Sequence, residues 1–550
     1  MNFSYLNRPD YLNQLQQQTF DVLVIGGGIT GSGIALDAAS RGLNVALIEM
    51  QDFAAGTSSR STKLIHGGLR YLKQFEIKLV AEVGHERKII HSIAPHLTRP
   101  EPMLLPIIKN GSLNKTTARI GMWIYEWLAG VKKEERHKAL NLEETRNIEP
   151  LLAKENLLGS ILFYEYRTDD ARLTLEVLKA AVSKGAIAVN YLKAVDFLYN
   201  DGKVRGAKIV NQLTNESFNI QANYVVNASG PWVDELDSID KKHEEHKLKL
   251  TKGVHFVVDW KKFPAKQSLY FDTFDKRMLF IIPRDGKTYF GTTDTFYKGD
   301  ILKPTVSQDD KIYLLKCIND FFPHHTLQIS DLESAWTGLR PLISKPGKGP
   351  SEISRKDEMF ETASGLLTIA GGKLTGYRKM AQRIVDKIAN KINHSSSIKI
   401  GTCVTEKIHL SGGEIPLGEN FNNYINEQIE KGYSIGFTKE ESNTLVYRYG
   451  FDINKLYQLA QQLKTETHEL PLFIRVQIHY TVQYECCISI SDFIVRRTGM
   501  LYFDVQNVKK WHSSIANYTQ QLLHLDNSIK LNFDQELEEK LKEIQSLSVN

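Results

Sequence analysis

Cysteine is nearly absent from this sequence. Cys317, Cys403, Cys486 and Cys487 are the only four in 550 residues, and none forms a C-x-x-C pair. That argues against a disulfide framework and against a structural zinc site. The adjacent Cys486 and Cys487 read as small core residues, and a reducing, cytoplasmic compartment is expected. Long apolar runs are lacking too. No stretch of about 18 apolar residues occurs, so no segment is expected to span a bilayer. The first 20 residues are polar and rich in Gln and Asn, so no secretory signal is expected. A strong excess of one charge is also missing. Lys and Arg number 69 against 64 Asp and Glu, a formal net charge of +5 with no dense basic stripe. Nucleic acid is therefore not an expected partner, whereas an anionic substrate or a membrane surface suits the mild excess. There is no internal repeat. A content of 42% hydrophobic and 24% charged residues is that of a soluble globular protein. The length allows two or three domains and a large buried core.

What is present begins at residues 21–49, DVLVIGGGITGSGIALDAASRGLNVALIE. The apolar run ending at Ile25 reads as a buried parallel strand. Gly26, Gly28 and Gly31 then supply G-x-G-x-x-G. Ile34, Ala35, Ala38 and Ala39 make a small apolar helix face, and Gly42 stops the helix. A second strand over 45–48 is closed by Glu49, about 20 residues beyond the glycines, where a ribose 2′-hydroxyl partner belongs. Gly26 permits the turn, Gly28 lets backbone approach a pyrophosphate, and Gly31 lets helix and strand pack closely. The helix N-terminus favours the phosphate charge. The unit is read as a dinucleotide site, and the acid at 49 disfavours a 2′-phosphate.

Along the rest of the chain, residues 1–19 read as a polar lead-in. The hydroxyl-rich loop 53–63 follows the ribose strand and is read as wrapping the dinucleotide. Residues 75–94 read as an exposed amphipathic helix, and the proline-rich stretch 95–106 as irregular. Residues 120–131, with Trp123 and Trp127 followed by Lys132 and Lys133, read as a core or dimer-contact helix. An interfacial membrane contact is the alternative. A helix is expected over 172–184, then strands at 186–191, 194–199, 204–210 and 218–222, with Asp201-Gly202 as a hairpin turn. Residues 224–232 read as a further strand running into a Ser-Gly turn and a helix. Residues 250–345 read as mainly β, with strands at 254–258, 278–283 and 287–291. Residues 345–356 are a basic Pro/Gly loop. Residues 366–376 repeat the strand, glycine turn and helix start, the helix running to about 392. From about 405 only helices are expected, with a domain boundary near 395–410.

Four stretches carry a family resemblance: G-T-S-S-R-S-T-K-L-I-H-G-G-L-R-Y-L at 56–72, N-A-S-G-P-W at 227–232, W-T-G-L-R-P-L at 336–342 and A-G-G-K-L-T at 370–375. Together with the glycine motif they resemble the FAD-dependent sn-glycerol-3-phosphate dehydrogenases, over nearly the whole chain. The resemblance implies an α/β fold. It would comprise a glutathione-reductase-like FAD-binding Rossmann domain, a β-rich substrate domain like that of D-amino-acid oxidases, and an all-α C-terminal domain. The oxidoreductase region would cover 18–395, with FAD-binding segments about 18–75, 172–235 and 365–395, and the helical domain 405–535. FAD contacts are expected from Gly26, Gly28, Gly31 and Glu49, and from Thr57, Ser58, Ser61 and Thr62. Further contacts would come from Val195, Ala228 and Gly230, and from Gly372, Leu374 and Thr375. No metal is expected.

The implied reaction removes a C2 hydride and a hydroxyl proton from glycerol 3-phosphate. It needs an anion clamp, a base and a positive group near the flavin. Arg70, Tyr71, Arg340 and Lys373 suit the clamp, since the planar fork of arginine matches two oxyanion oxygens. Lys373, beside Gly371 and Gly372, is placed to contact substrate oxygen and flavin together. His66 and His255 are the base candidates, His66 slightly preferred. The alternative is alkoxide stabilisation by Arg340 and Lys373 with no single dominant base. The resemblance further implies membrane quinone as electron acceptor, peripheral association with the inner face of the cell membrane, and room for a homodimer. An oxidase using oxygen is the alternative acceptor reading. An amine or amino-acid oxidase is disfavoured by the narrow motifs, and a non-enzymatic flavin sensor by the presence of Arg70, Arg340 and Lys373.

Overall fold

The computed structural model describes residues 3–67, 76–109, 111, 115–152, 155–240, 248–343, 357–395, 397–415 and 417–549. Its centre is the strand Thr19–Ile25, whose residues Val22, Leu23 and Val24 have no solvent exposure. Parallel partners flank it on both sides, Val45–Ile48 on one and Ser217–Asn227 on the other. The parallel order extends outward to Ile187–Val189 and to Leu367–Ala370, with Glu358–Glu361 antiparallel at one edge. A sheet of this kind is buried on both faces, which is why its strands read as unbroken apolar runs. The helices Ile29–Ser40, Asp170–Ser183 and Tyr377–Ser395 share one apolar core on one face of it.

Lys203–Asn211 pairs antiparallel with the first half of Ser217–Asn227, and Leu192–Asn200 with Lys203–Asn211. The turn between the last two is Asp201-Gly202, with φ of 49° and 68°, the left-handed pair a two-residue hairpin requires. The segments expected at 218–222 and 224–227 are one continuous strand.

A second sheet, ten-stranded among the described residues, carries the β-rich region. Its longest pairing is antiparallel, Leu248–Asp259 with Leu332–Ile343. Several elements depart from the sequence reading. The polar lead-in holds a helix, Arg8–Gln17, anchored by buried Tyr11 and Leu15. The stretch read as irregular is the strand Arg99–Ile108, paired with Leu157–Arg167. Its prolines at 100, 102 and 106 share one parity, so their missing N–H groups fall on one edge of the strand. The region read as mainly β contains the helix Gln308–Phe321, started by a Ser307/Asp310 capping box. The helix Ile77–Ile93 is not an exposed one. Val80, Val83, Ile90 and Ile93 are buried, and so are Glu86 and Arg87, which pair inward with Arg378 and Glu165.

From Glu419 onward every regular element is helical, ending with Val505–Leu523 and Asn527–Leu547. No described helix is long and apolar enough to cross a membrane. The four cysteines are free thiols, with Cys317, Cys486 and Cys487 buried.

Candidate active site

The glycine motif does three different jobs. Gly26 lies at φ 122°, and a Cβ there would fall 2.4 Å from the Ala228 carbonyl oxygen. A Cβ on Gly31 would stand 1.9 Å from the Gly26 carbonyl oxygen, so Gly31 is the residue that lets helix and strand touch. Gly28 caps the helix Ile29–Ser40. A Cβ there would meet only Ser58 Oγ, at 3.1 Å, and otherwise point into open cavity. The Ile29 amide donates to Ser58 Oγ at 2.9 Å, which fixes the hydroxyl loop over the helix start. Glu49 closes the second strand as expected. Its carboxylate accepts from the amides of Gly27 at 2.7 Å and Gln51 at 2.9 Å. Burial raises its pKa, against the pull of those two bonds.

These groups line a cavity of about 410 Å³. Gly26, Gly28, Glu49, Thr57, Ser58 and Ser61 line it, together with Ala228 and Gly230 from the neighbouring strand end. Gly371, Gly372, Lys373 and Leu374 line it as well. Val195 is not among the lining residues; its neighbours Leu192, Lys193 and Ala194 are. Gly31 is behind the wall rather than in it. The donor set suits FAD: free space against a helix N-terminus for the pyrophosphate, and a buried carboxylate at the strand end for a ribose. Gly28→Val should fold the sheet but push methyl groups into the space a pyrophosphate needs. The purified variant is expected to be colourless, and full FAD occupancy by absorbance would refute this placement.

A second cavity, of about 460 Å³, opens from the first. Thr57, Ser61, Pro341, Gly372, Lys373 and Leu374 line both. Gly371 and Gly372 take φ of 80° and 83°, a left-handed pair that favours glycine. They deliver Lys373 to the boundary, as cap of the turn Leu374–Gly376 that leads into Tyr377–Ser395. Arg340 enters from the long antiparallel pair, where it stands opposite Thr251. It donates to Thr292 Oγ1 at 3.0 Å and to the Thr293 carbonyl at 3.3 Å, and pairs with Asp294 at 3.3 Å. Gly253 gives it room, since a Cβ there would lie 2.3 Å from Arg340 Nη2.

His255 and His66 line the same cavity. His255 stacks on Trp336 at 4.9 Å, and its Nε2 is 3.0 Å from Thr62 Oγ1. Gly291 leaves space for this ring, a Cβ there falling 2.4 Å from His255 Cδ2. Burial first, then the positive Arg340 and Lys63, push the His255 pKa well below its ordinary value. His66 is held by its backbone, which exchanges hydrogen bonds with Thr375 Oγ1 at 3.2 Å. Its ring meets Phe280 edge-on at 6.2 Å. Thr62 and Thr375 line this second cavity rather than the first. Arg70, Tyr71 and the 345–356 loop lie outside the described residues.

The sequence reading missed several residues here. Arg60, Lys276 and Arg277 add positive charge to the second cavity; the last two sit at a turn between apolar strands, Asp275-Lys276-Arg277, which was a legible signal. Glu165 is buried against Arg87 at 2.8 Å and accepts from the Gly67 amide at 3.3 Å, so it braces the segment carrying His66. Nothing in the local sequence announces that pairing.

A neutral His255 has a measurable consequence. The unfolded chain takes up a proton at this residue near its ordinary pKa, and the folded chain does not. Stability is therefore lost as pH falls through the mid-sixes. In His255→Asn the drop in the urea midpoint between pH 7 and pH 5 should be smaller than in the unmodified protein. An unchanged drop would show that His255 charges in the folded state.

A dinucleotide cradle that opens, across one lysine, into a positively charged pocket defines a flavin-linked oxidoreductase. Residues 21–378 match the family model described as FAD dependent oxidoreductase, and residues 403–530 match the C-terminal domain of alpha-glycerophosphate oxidase. The chain is 48% identical over 545 residues to the aerobic glycerol-3-phosphate dehydrogenase of Staphylococcus haemolyticus, covering 99% of this chain and 98% of that one. With the Bacillus subtilis enzyme of the same name it shares 47% over 530 residues, 96% of each. The solved glycerol-3-phosphate dehydrogenase from Bacillus halodurans, complexed with FAD, superposes with a TM-score of 0.83 at 42% identity over 98% of both chains. The chain belongs to the FAD-dependent glycerol-3-phosphate dehydrogenase family, and FAD is its cofactor.

Proposed function

We propose that this enzyme oxidises sn-glycerol 3-phosphate to dihydroxyacetone phosphate and passes the electrons to a membrane quinone. The observation that carries the reading is the position of Lys373, shared by the cofactor cavity and the pocket that also holds Arg340. FAD supplies the hydride acceptor. The chain's own residues do the rest. Lys373 and Arg340 stabilise negative charge growing on the C2 oxygen. Arg70 and Tyr71 are assigned to the phosphate. His66 takes the hydroxyl proton; His255, neutral and hydrogen-bonded to Thr62, serves substrate positioning.

Quinone dissolves in lipid, so the acceptor step needs a membrane face. The helix Lys115–Ala129 supports one. Ile120 and Trp123 on it are 56% and 65% exposed, although the neighbouring Met122 and Tyr125 are buried. Exposed Lys132 and Lys133 follow directly. An aromatic beside lysines is the composition of an interfacial contact. On this reading the enzyme works as a peripheral protein on the inner face of the cell membrane, and the exposed Trp123 beside Lys132 and Lys133 supports it.

One assay tests both halves. Under anaerobic conditions glycerol 3-phosphate should bleach the flavin, and glycerol at equal concentration should not. Loss of the charge-assisted bonds to phosphate costs about 1.5–3 kcal/mol each. Reoxidation should then follow addition of anionic vesicles carrying ubiquinone or menaquinone. Bleaching by glycerol or an amino acid would overturn the substrate. Reoxidation by oxygen alone, with no vesicle binding at low salt, would establish an oxidase instead.

A further inference from the structure

A third polar cavity, of about 80 Å³, lies between the FAD-binding region and the C-terminal helices. It is walled by Arg99, Arg167, Arg284 and Arg448, with Asp169 and Asp285 between them. We propose that it is an oxyanion site, taking one phosphate group, separate from the active-site phosphate position.

The charges do not close without a ligand. Arg284 holds both aspartates, Asp169 at 3.2 Å and Asp285 at 3.1 Å. Arg167 has Glu101 at 3.5 Å and the Pro283 carbonyl at 3.1 Å. Arg172 also lines the space, but Glu176 and Glu485 neutralise it from behind, alongside Lys179. Among the described residues Arg448 bonds neutral acceptors, Gln477 Oε1 and the Thr498 carbonyl. Arg99 makes no ion pair among the described residues; its guanidinium lies 3.1 Å from the centre of the Tyr447 ring. Four guanidiniums therefore share three carboxylates.

Unused donors surround the same space. Arg284 Nη1 and Thr168 Oγ1 are buried and have no hydrogen-bond partner among the described residues. The buried His96 is held neutral, burial and the nearby Arg172 bringing its pKa down to about 3, so its ring adds one N–H donor and one acceptor with no partner among the described residues. A buried donor without a partner loses the hydrogen bond that water would have given it, so an occupant that accepts from these groups is favoured. Burial and the nearby Arg167 also depress the Arg99 pKa, to about 9, the response of a cation that lacks its counter-charge. The volume exceeds the share of a single water, about 30 Å³, and falls short of the roughly 150 Å³ that admits benzene. A tetrahedral oxyanion falls within that range, and arginine forks match its oxygens. Asn443 is exposed at the rim, so a phosphomonoester has a way out for its organic part.

The test uses crystals of the unmodified holoenzyme soaked in sodium selenate. An anomalous peak is expected between Arg99, Arg284 and Arg448, distinct from any peak beside Arg340. Water alone in this cavity would overturn the assignment. In solution, orthophosphate should raise the melting temperature above the value in sodium chloride of equal ionic strength, and Arg99→Gln should raise the phosphate concentration required by about tenfold. An unchanged midpoint in Arg99→Gln would place the effect elsewhere and refute the site. Glycerol 2-phosphate separates the sources. Stabilisation by it as well as by orthophosphate identifies a site open to phosphomonoesters, and by orthophosphate alone a closed inorganic one. Either result supports the oxyanion assignment.

Discussion

Lys373→Ala is expected to lower the limiting rate of flavin reduction by about 10²-fold or more, the scale on which loss of an oxyanion donor acts. Arg340→Ala should do the same. Lys373 stands at the boundary of the two cavities, and Arg340 is locked across from it by Thr292, Thr293 and Asp294. A group that meets charge present only in the transition state changes turnover more than affinity. Arg70, assigned to the substrate phosphate that is charged throughout, should behave oppositely. Arg70→Ala should chiefly raise KM and recover at high substrate concentration. Stopped-flow reduction against glycerol 3-phosphate concentration separates the two behaviours. If Lys373→Ala is reduced at the unmodified limiting rate, the lysine only binds or supports, and the charge at the centre of the mechanism is gone.

The cofactor side of this site was legible in the sequence because its determinants are local. Strand, three glycines, helix and Glu49 fall within 29 residues, and each glycine's role follows from one backbone approach. The left-handed pair at Gly371-Gly372 was legible for the same reason. Placement of the substrate side depends on long-range pairing. Gly253 and Gly291 look unremarkable in sequence, yet they leave the space into which Arg340 and His255 fit. Glu165 braces the His66 segment from 98 residues away. The fold shows the same division. The parallel strands and the Asp201-Gly202 hairpin declare themselves by apolar runs and turn residues. The strand Arg99–Ile108 carries prolines that argue against pairing; their common parity is in the sequence, but the pairing partner, Leu157–Arg167, lies far along the chain and nothing local announces it. The helix Ile77–Ile93 looked solvated because its charges were counted as exposed, whereas Glu86 and Arg87 are buried in ion pairs.

The largest stability effect is expected at Asp52, three residues beyond Glu49. Its carboxylate is fully buried and accepts four hydrogen bonds from three side chains. Arg497 donates twice, at 2.7 and 2.9 Å, Arg496 donates to the same carboxylate, and Asn190 Nδ2 donates at 3.0 Å. Both arginines come from the π-helical turn Asp492–Arg497 of the C-terminal region, so this cluster fastens that region to the loop that follows Glu49. Burial alone would raise the Asp52 pKa, but Arg497 and Arg496 outweigh it and bring it down to about 2. The stabilisation is therefore complete above the ordinary carboxylate pKa and lost as pH falls toward 2. Asp52→Asn removes the charge and keeps the size, leaving two buried guanidiniums short of their counter-ion. Breaking a buried pair in this way costs about 3–5 kcal/mol. The variant should unfold at a clearly lower urea concentration at pH 7 and bind FAD more weakly, because the loop from Glu49 to Asp52 loses its anchor. The difference should shrink as pH falls below the ordinary carboxylate pKa and be largely gone only near pH 2, where Asp52 takes up a proton in the folded protein as well. A cost below 1 kcal/mol at pH 7 would mean that Asp492 and the Glu485 carbonyl, already bonded to these arginines, hold the junction without Asp52.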